Sequence, residues 1–130
     1  MFITSHMKVS AGEGKWRIEG EALRCGKDIQ CVFTGGEAPH IGATALALPR
    51  PSLNDPKKTS ASASVICVTG HKDDQLAREA ALKIAAACNA AVCVTVGIHV
   101  DNATAADLDL LNKNFSEAAN NLTGLLLQGL

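Results

Sequence analysis

Ala91-Val92-Cys93-Val94-Thr95-Val96-Gly97-Ile98-His99-Val100-Asp101-Asn102-Ala103-Thr104 is the stretch on which the reading of this chain turns. The first part is short, apolar and rich in β-branched residues, which predicts a strand over 91–100. Side chains alternate along a strand, so Val92, Val94, Val96, Ile98 and Val100 share one face. Thr95, Gly97, His99 and Asp101 share the other. Thr104 followed by Asp107 then reads as a capping-box variant that opens a helix. In open α/β sheets, ligands gather beyond the carboxyl ends of strands, beside helix N-termini. Two readings of the junction stand side by side. His99 and Asp101 belong to a ligand site, or Asp101 or Asn102 caps the helix while His99 fills a polar gap.

Working outward, a helix is expected over 73–89, with Leu76, Ala80, Ile84 and Ala87 at helical spacing and Asn89 closing it. Before it lies a strand over 59–68. After Thr104 a helix runs over 105–122 or beyond, with Leu108, Leu111, Phe115, Ala118 and Leu122 as its apolar stripe. The second half is therefore a βαβα unit with two parallel strands. The first half reads as a meander, with strands over 15–21, 28–34 and 41–48. Cys25-Gly26-Lys27 turns the first pair into a hairpin, with Trp16 and Ile18 on one face of its first strand. Pro49, Pro51 and Pro56 make 49–58 a loop, of the exposed kind that often covers a site. The expected class is α+β (or α/β), a single mixed sheet in the order β-β-β-β-α-β-α, with two helices packed on one face.

Ser5-His6-Met7 resembles a cloning scar, so residues 1–6 read as a tag remnant and 7–130 as one domain. Hydrophobic residues make up 47% of the 130, enough for a core of that size. Aromatic residues are only 3% and Tyr is absent, which argues against base-stacking recognition of nucleic acid. A net charge of -1 without a basic run argues against phosphate-backbone binding. No apolar run reaches the length of a membrane span, and no signal peptide opens the chain, so the expected location is the cytoplasm. The five cysteines are odd in number and form no Cys-x-x-Cys pair. Cys31, Cys67 and Cys93 lie in expected strands and read as small buried hydrophobes of a reduced protein. Leu125-Leu126-Leu127 and Leu130 leave an apolar excess that reads as a homodimer contact or as packing on a partner.

Three Gly-flanked polar segments stand at strand edges, and each carries one histidine: Gly35-Gly36-Glu37-Ala38-Pro39-His40-Ile41-Gly42, Gly70-His71-Lys72-Asp73-Asp74 and Gly97-Ile98-His99-Val100-Asp101-Asn102. If the strands over 59–68 and 91–100 are parallel neighbours, His71 and His99 come close, with Asp73, Asp74 and Asp101 around them. Glycines let backbone approach a ligand and leave N–H donors free. Lys72 beside a helix start favours a phosphate. Imidazoles near carboxylates can hold a divalent metal or move protons. Plainer readings remain open: a turn at Gly35-Gly36, capping by Asp73 or Asp74, and a solvated Lys72.

Taken in order, the three segments resemble the signatures of the LpdD-like proteins, small chaperones of prenylated flavin mononucleotide, over residues 15–122. The resemblance implies a non-catalytic carrier that takes prenylated FMN from a flavin prenyltransferase to a prenylated-FMN-dependent decarboxylase of hydroxylated aromatic acids, with possible help in oxidising the cofactor. On that reading Gly35, Gly36, Glu37, His40, Gly70, His71, Lys72, Asp73, His99, Asp101 and Asn102 bind the cofactor. A metal ion beside the flavin would take His40, His71, His99 and Asp101. Two other readings stand beside this one. A metal-dependent enzyme would use the same histidines with Asp101 to activate water or polarise a carbonyl. A protein–protein adaptor would bind no small ligand at all.

Overall fold

The computed structural model describes residues 6–68 and 73–129. Six strands form one mixed sheet: β1 (His6–Ala11), β2 (Ile18–Cys25), β3 (Asp28–Gly36), β4 (Ala43–Pro51), β5 (Thr59–Cys67) and β6 (Val92–His99). Two helices, α1 (Asp73–Cys88) and α2 (Ala105–Gln128), complete the chain, with a short 3-10 turn at Gly14–Trp16. The expected order of elements holds from β2 onward, and β1 is added in front of it. That strand begins at His6, within the segment read as a tag remnant, and pairs antiparallel with β2 from His6–Leu23 to Ala11–Ile18. The stretch expected as a strand over 15–21 is instead the 3-10 turn followed by the start of β2, so Trp16 lies outside the sheet.

The spatial order is β1-β2-β3-β6-β4-β5. The first half is thus not a continuous meander. Strand β6 is inserted between β3, to which it is parallel, and β4, to which it is antiparallel. Both β5 and β6 run antiparallel to β4, so they share a direction but are not neighbours. Their carboxyl ends still lie on the same edge of the sheet, the geometry the junction argument needs.

One face of the sheet is closed by the helices. Ile29, Cys31 and Phe33 of β3, Ala43, Ala45 and Ala47 of β4 and Val92, Val94 and Val96 of β6 are all buried against them. Phe33 meets Phe115 of α2 with ring centroids 5.0 Å apart. The small residues of β4 and α1 (Ala77, Ala80, Ala81, Ala85) let that helix lie close on the sheet. Its buried stripe follows those alanines and Ile84, while Leu76 is only partly buried and Ala87 is exposed. Asn89 takes a left-handed φ of 50° and ends the helix, as its short polar side chain permits.

Three further expectations change. The prolines do not stop β4, which runs through Pro49 to Pro51. Beyond Ala47 the strand has a neighbour only on the β5 side, and an edge position tolerates a missing N–H. The loop that follows lies at the opposite end of the sheet from the β6–α2 junction and so covers nothing there. Cys67 is exposed at the end of β5, whereas Cys31 is buried deeply enough that its thiol is pushed up to about 12. Of the C-terminal leucines, Leu126 is fully buried and Leu125 and Leu127 are part-exposed. Leu130 lies outside the described residues. Arg24 donates to the Leu126 carbonyl, setting a cation at the carboxyl end of α2.

Candidate functional site at the carboxyl edge of the sheet

Because β6 separates β3 from β4, the connection between those two strands (37–42) must step over the carboxyl end of β6. The backbone records the crossing. Glu37 N–H donates to the His99 carbonyl at 2.7 Å, and Gly42 N–H donates to the Val96 carbonyl at 2.9 Å. Three glycines make the crossing possible. A Cβ on Gly97 would overlap the His40 carbonyl oxygen, one on Gly42 would overlap the Asp73 carboxylate, and one on Gly36 would overlap the His99 carbonyl. Gly36 also holds a positive φ of 76°, which other residues rarely adopt. Gly35 is buried within β3, where it pairs with Ile98.

The crossing brings two of the three polar segments together, and Asp73 joins them from the third. His40 Nε2 lies 3.1 Å from Asp73 Oδ2 and its Nδ1 2.9 Å from the Ala38 carbonyl. Asp73 is buried, and its other oxygen accepts from Ile98 N–H at 3.3 Å. One carboxylate therefore ties the start of α1 to β6 and to the crossing loop. His99 donates from Nε2 to Asp101 Oδ1 at 2.8 Å, as their shared strand face anticipates. Asp101 N–H in turn donates to Glu37 Oε1 at 3.0 Å. The His40 and His99 rings stand edge to face, 6.4 Å between centroids. Asn102 is exposed and takes a positive φ of 52°, which bends the chain toward α2. Gly70, His71 and Lys72 lie outside the described residues.

Beside this cluster is a cavity of about 410 Å³, within the range of small-molecule sites. Leu76, Ile98, Val100, Leu108 and Leu111 give it apolar walls, and Asp73, His99 and Asn112 give it polar ones. Sequence reasoning placed Leu108 and Leu111 in one buried stripe. Leu108 is in fact 45% exposed at the cavity while Leu111 is buried. The usable signal was position: Leu76 and Leu108 sit in the first turns of the two helices that start at this sheet edge. Asn112 carried no signal of its own.

Among the described residues, no group of three or more His, Cys, Asp or Glu side chains is arranged to hold a metal ion. The expected metal set is thus not assembled by its described members. His40 reaches Asp73 and His99 reaches Asp101, and His71, the remaining member of that set, lies outside the described residues.

The fold is shared with solved structures. A chain from the crystal structure of a novel chaperone complex for yeast 20S proteasome assembly matches with a TM-score of 0.60 at 17% identity, over 98% of each chain. Identity that low speaks to the fold alone. No curated protein sequence matches. The sequence itself is more specific. Residues 12–126, a span that contains the crossing loop, the β5–α1 junction and the β6–α2 junction, match the model of the prenylated flavin chaperone LpdD-like domain, and the chain belongs to that family.

Proposed function

We propose that the chain binds prenylated FMN at the carboxyl edge of the sheet and hands it to a decarboxylase that depends on it. The observation that carries this reading is the cavity of about 410 Å³ beside the paired histidines, in a chain of the prenylated flavin chaperone family. Its walls fit the uncharged part of such a ligand. Leu76, Leu108 and Leu111 offer flat apolar contact to a ring system and its prenyl carbons in a protein poor in aromatic residues. Asn112 and His99 offer hydrogen bonds to ring heteroatoms.

The phosphate belongs elsewhere. Glu37, Asp73 and Asp101 surround the histidines with negative charge, which repels a dianion. Lys72 and the backbone of Gly70, which precede Asp73 in the sequence and lie outside the described residues, are the proposed phosphate partners. Transfer follows from the position of the site on an exposed sheet edge, where the apo-decarboxylase takes the ligand over. The flavin prenyltransferase supplies it. The chain acts here as a carrier, with no covalent step of its own.

Anaerobic equilibrium titration with reduced prenylated FMN, followed by its absorbance and with FMN as comparator, tests the reading. Saturable binding of one ligand per chain, weakened in His99→Ala and in Lys72→Ala, is the expected result. Prenylated FMN that stays free at every protein concentration removes the proposal.

A further inference from the structure

Among the described residues, no element covers the sheet face turned away from the helices. On β4 and β5 its large apolar side chains are open, Ile66 at 79% exposure, Leu48 at 55% and Leu46 at 49%, and Val32 of β3 and Leu23 of β2 are exposed beside them. Charge is unevenly distributed across this face. Strands β1 and β2 carry Lys8, Glu19 and Glu21, already paired at their own edge through Lys8–Glu21 (3.2 Å) and Arg17–Glu19 (3.3 Å). The outward positions of β3, β6, β4 and β5 are free of Lys, Arg, Asp and Glu except at one end, where Asp28 accepts from Ala91 N–H and Arg50 donates to Ser62, while His99, held by Asp101, stands at the other end. Even the hydroxyls in the middle are satisfied, since Thr44 and Thr95 bond each other at 3.0 Å. Gln30 and Ser64 are the polar side chains that a cover on this patch has to match.

The order of residues across the four strands is self-complementary. One row reads Val32, Thr95, Thr44, Ile66, and the next reads Gln30, Cys93, Leu46, Ser64. A two-fold axis parallel to the strands, midway between β6 and β4, reverses each row. It sets Val32 on the partner's Ile66, Cys93 on the partner's Leu46, and the two threonines on each other. It also carries Asp28 to the neighbourhood of the partner's Arg50. Apolar meets apolar, polar meets polar, and the two end charges are opposite. Strands β1 and β2, with their charges, overhang into water.

Four strands of eight or nine residues, spaced about 4.8 Å apart and rising about 3.4 Å per residue, make a plane of roughly 19 by 28 Å. That is on the order of 500 Å² per subunit and 1,000 Å² per pair, at the lower threshold for a specific interface. Face-to-face sheets of this kind stack as aligned sandwiches.

We infer that the open face of β3-β6-β4-β5 is the homodimer interface, its occupant a second copy of this chain related by a two-fold axis along the strands. The carboxyl-edge site is left open in each subunit, and the part-exposed leucines of α2 take no part.

Light scattering coupled to gel filtration on the full chain, without cofactor, tests this independently of the ligand reading. Wild type is expected to run as a dimer, and Leu46→Asp and Ile66→Asp each as a monomer with unchanged circular dichroism. Because Ile66 is the more exposed of the two, its variant keeps the test alive if Leu46→Asp folds poorly. In a Cys25→Ser, Cys67→Ser background, which removes the exposed native thiols, Val32→Cys combined with Ile66→Cys should yield a disulfide-linked dimer on oxidation that neither single variant gives. A monomeric wild type overturns the inference. So does a dimer that survives both aspartates and is lost in Leu125→Asp with Leu127→Asp.

Discussion

Asp107 and Asp73 stand in the first turns of α2 and α1, and solvent reaches only 8% of one and 5% of the other. Asp107 directs its oxygens at its own corner. It accepts from Thr104 N–H at 2.9 Å while Asp107 N–H donates to Thr104 Oγ1 at 3.1 Å, a closed capping box. Trp16 Nε1 donates to the same carboxylate at 2.9 Å, and Lys15 lies 3.8 Å away. Asp73 directs both oxygens away from its helix, to β6 and to the crossing loop, and it borders the cavity. The same residue type, in the first turn of each helix, serves in one place to fasten the fold and in the other to assemble a site. What differs is that Asp107 closes a box with Thr104, three residues away, whereas both partners of Asp73 come from other segments.

The largest effect is expected where the crossing loop meets β6. Gly97→Ala forces a Cβ into the His40 carbonyl, so the loop must lift and carry His40 off Asp73. Overpacking of this kind costs roughly 1–3 kcal/mol, read by urea denaturation, and cofactor binding should vanish in the titration. A variant as stable as wild type that still binds would mean the crossing is not what holds the site.

Next comes a direct exchange between the corners. Asp73→Asn keeps the size of the side chain but removes the charge that meets both His40 and Ile98 N–H. Binding is expected to weaken by more than about tenfold, the factor that about 1.4 kcal/mol represents. Thr104→Ala opens the capping box and costs about 1 kcal/mol of stability, seen as a lower midpoint in thermal unfolding, with binding unchanged. If Thr104→Ala weakens binding as much as Asp73→Asn does, the two corners are not separate.

The Asp107 corner was legible in the sequence because it is local. Thr104 and Asp107 are three residues apart, and the capping box follows from that spacing alone. The strand face of Val92, Val94 and Val96 was legible for the same reason, as was the His99–Asp101 pair. Asp73 was visible as a candidate, but its partners were not. Nothing in the order of the chain announces that β6 enters between β3 and β4, and only that insertion brings residues 37–42 over His99. Strand β1 was hidden differently. Met7, Val9 and Ala11 alternate inward as a strand should, but the scar-like Ser5-His6-Met7 drew the reading away from that period. Pro49 and Pro51 misled because proline forbids a central strand, and the strand there is no longer central. The cavity could not be read at all, since its walls are drawn from α1, β6 and α2 together.

The smallest effect is the one that separates the corners by charge. Hydrogen bonds from Thr104 N–H and from the Trp16 indole, with Lys15 nearby, hold the Asp107 carboxyl below the usual carboxylate range. A depressed folded value means the unfolded chain binds the proton more readily, so acid favours unfolding. The stabilisation is fully present above the unfolded value of about 3.9 and is lost as pH falls through the lower folded one. Asp107→Asn removes that titration. Its stability should change less than that of wild type as pH falls from the neutral side through this window, although it starts lower because Asn offers one acceptor oxygen where the carboxylate offers two. Lys15→Ala should move the same curve only slightly, since the exposed lysine stands 3.8 Å from the carboxylate and its charge is screened by salt. Urea midpoints measured at successive pH values for the three proteins decide it. Parallel curves for wild type and Asp107→Asn would show that the α2 corner is held by shape and not by charge, and the contrast with Asp73 would then rest on geometry alone.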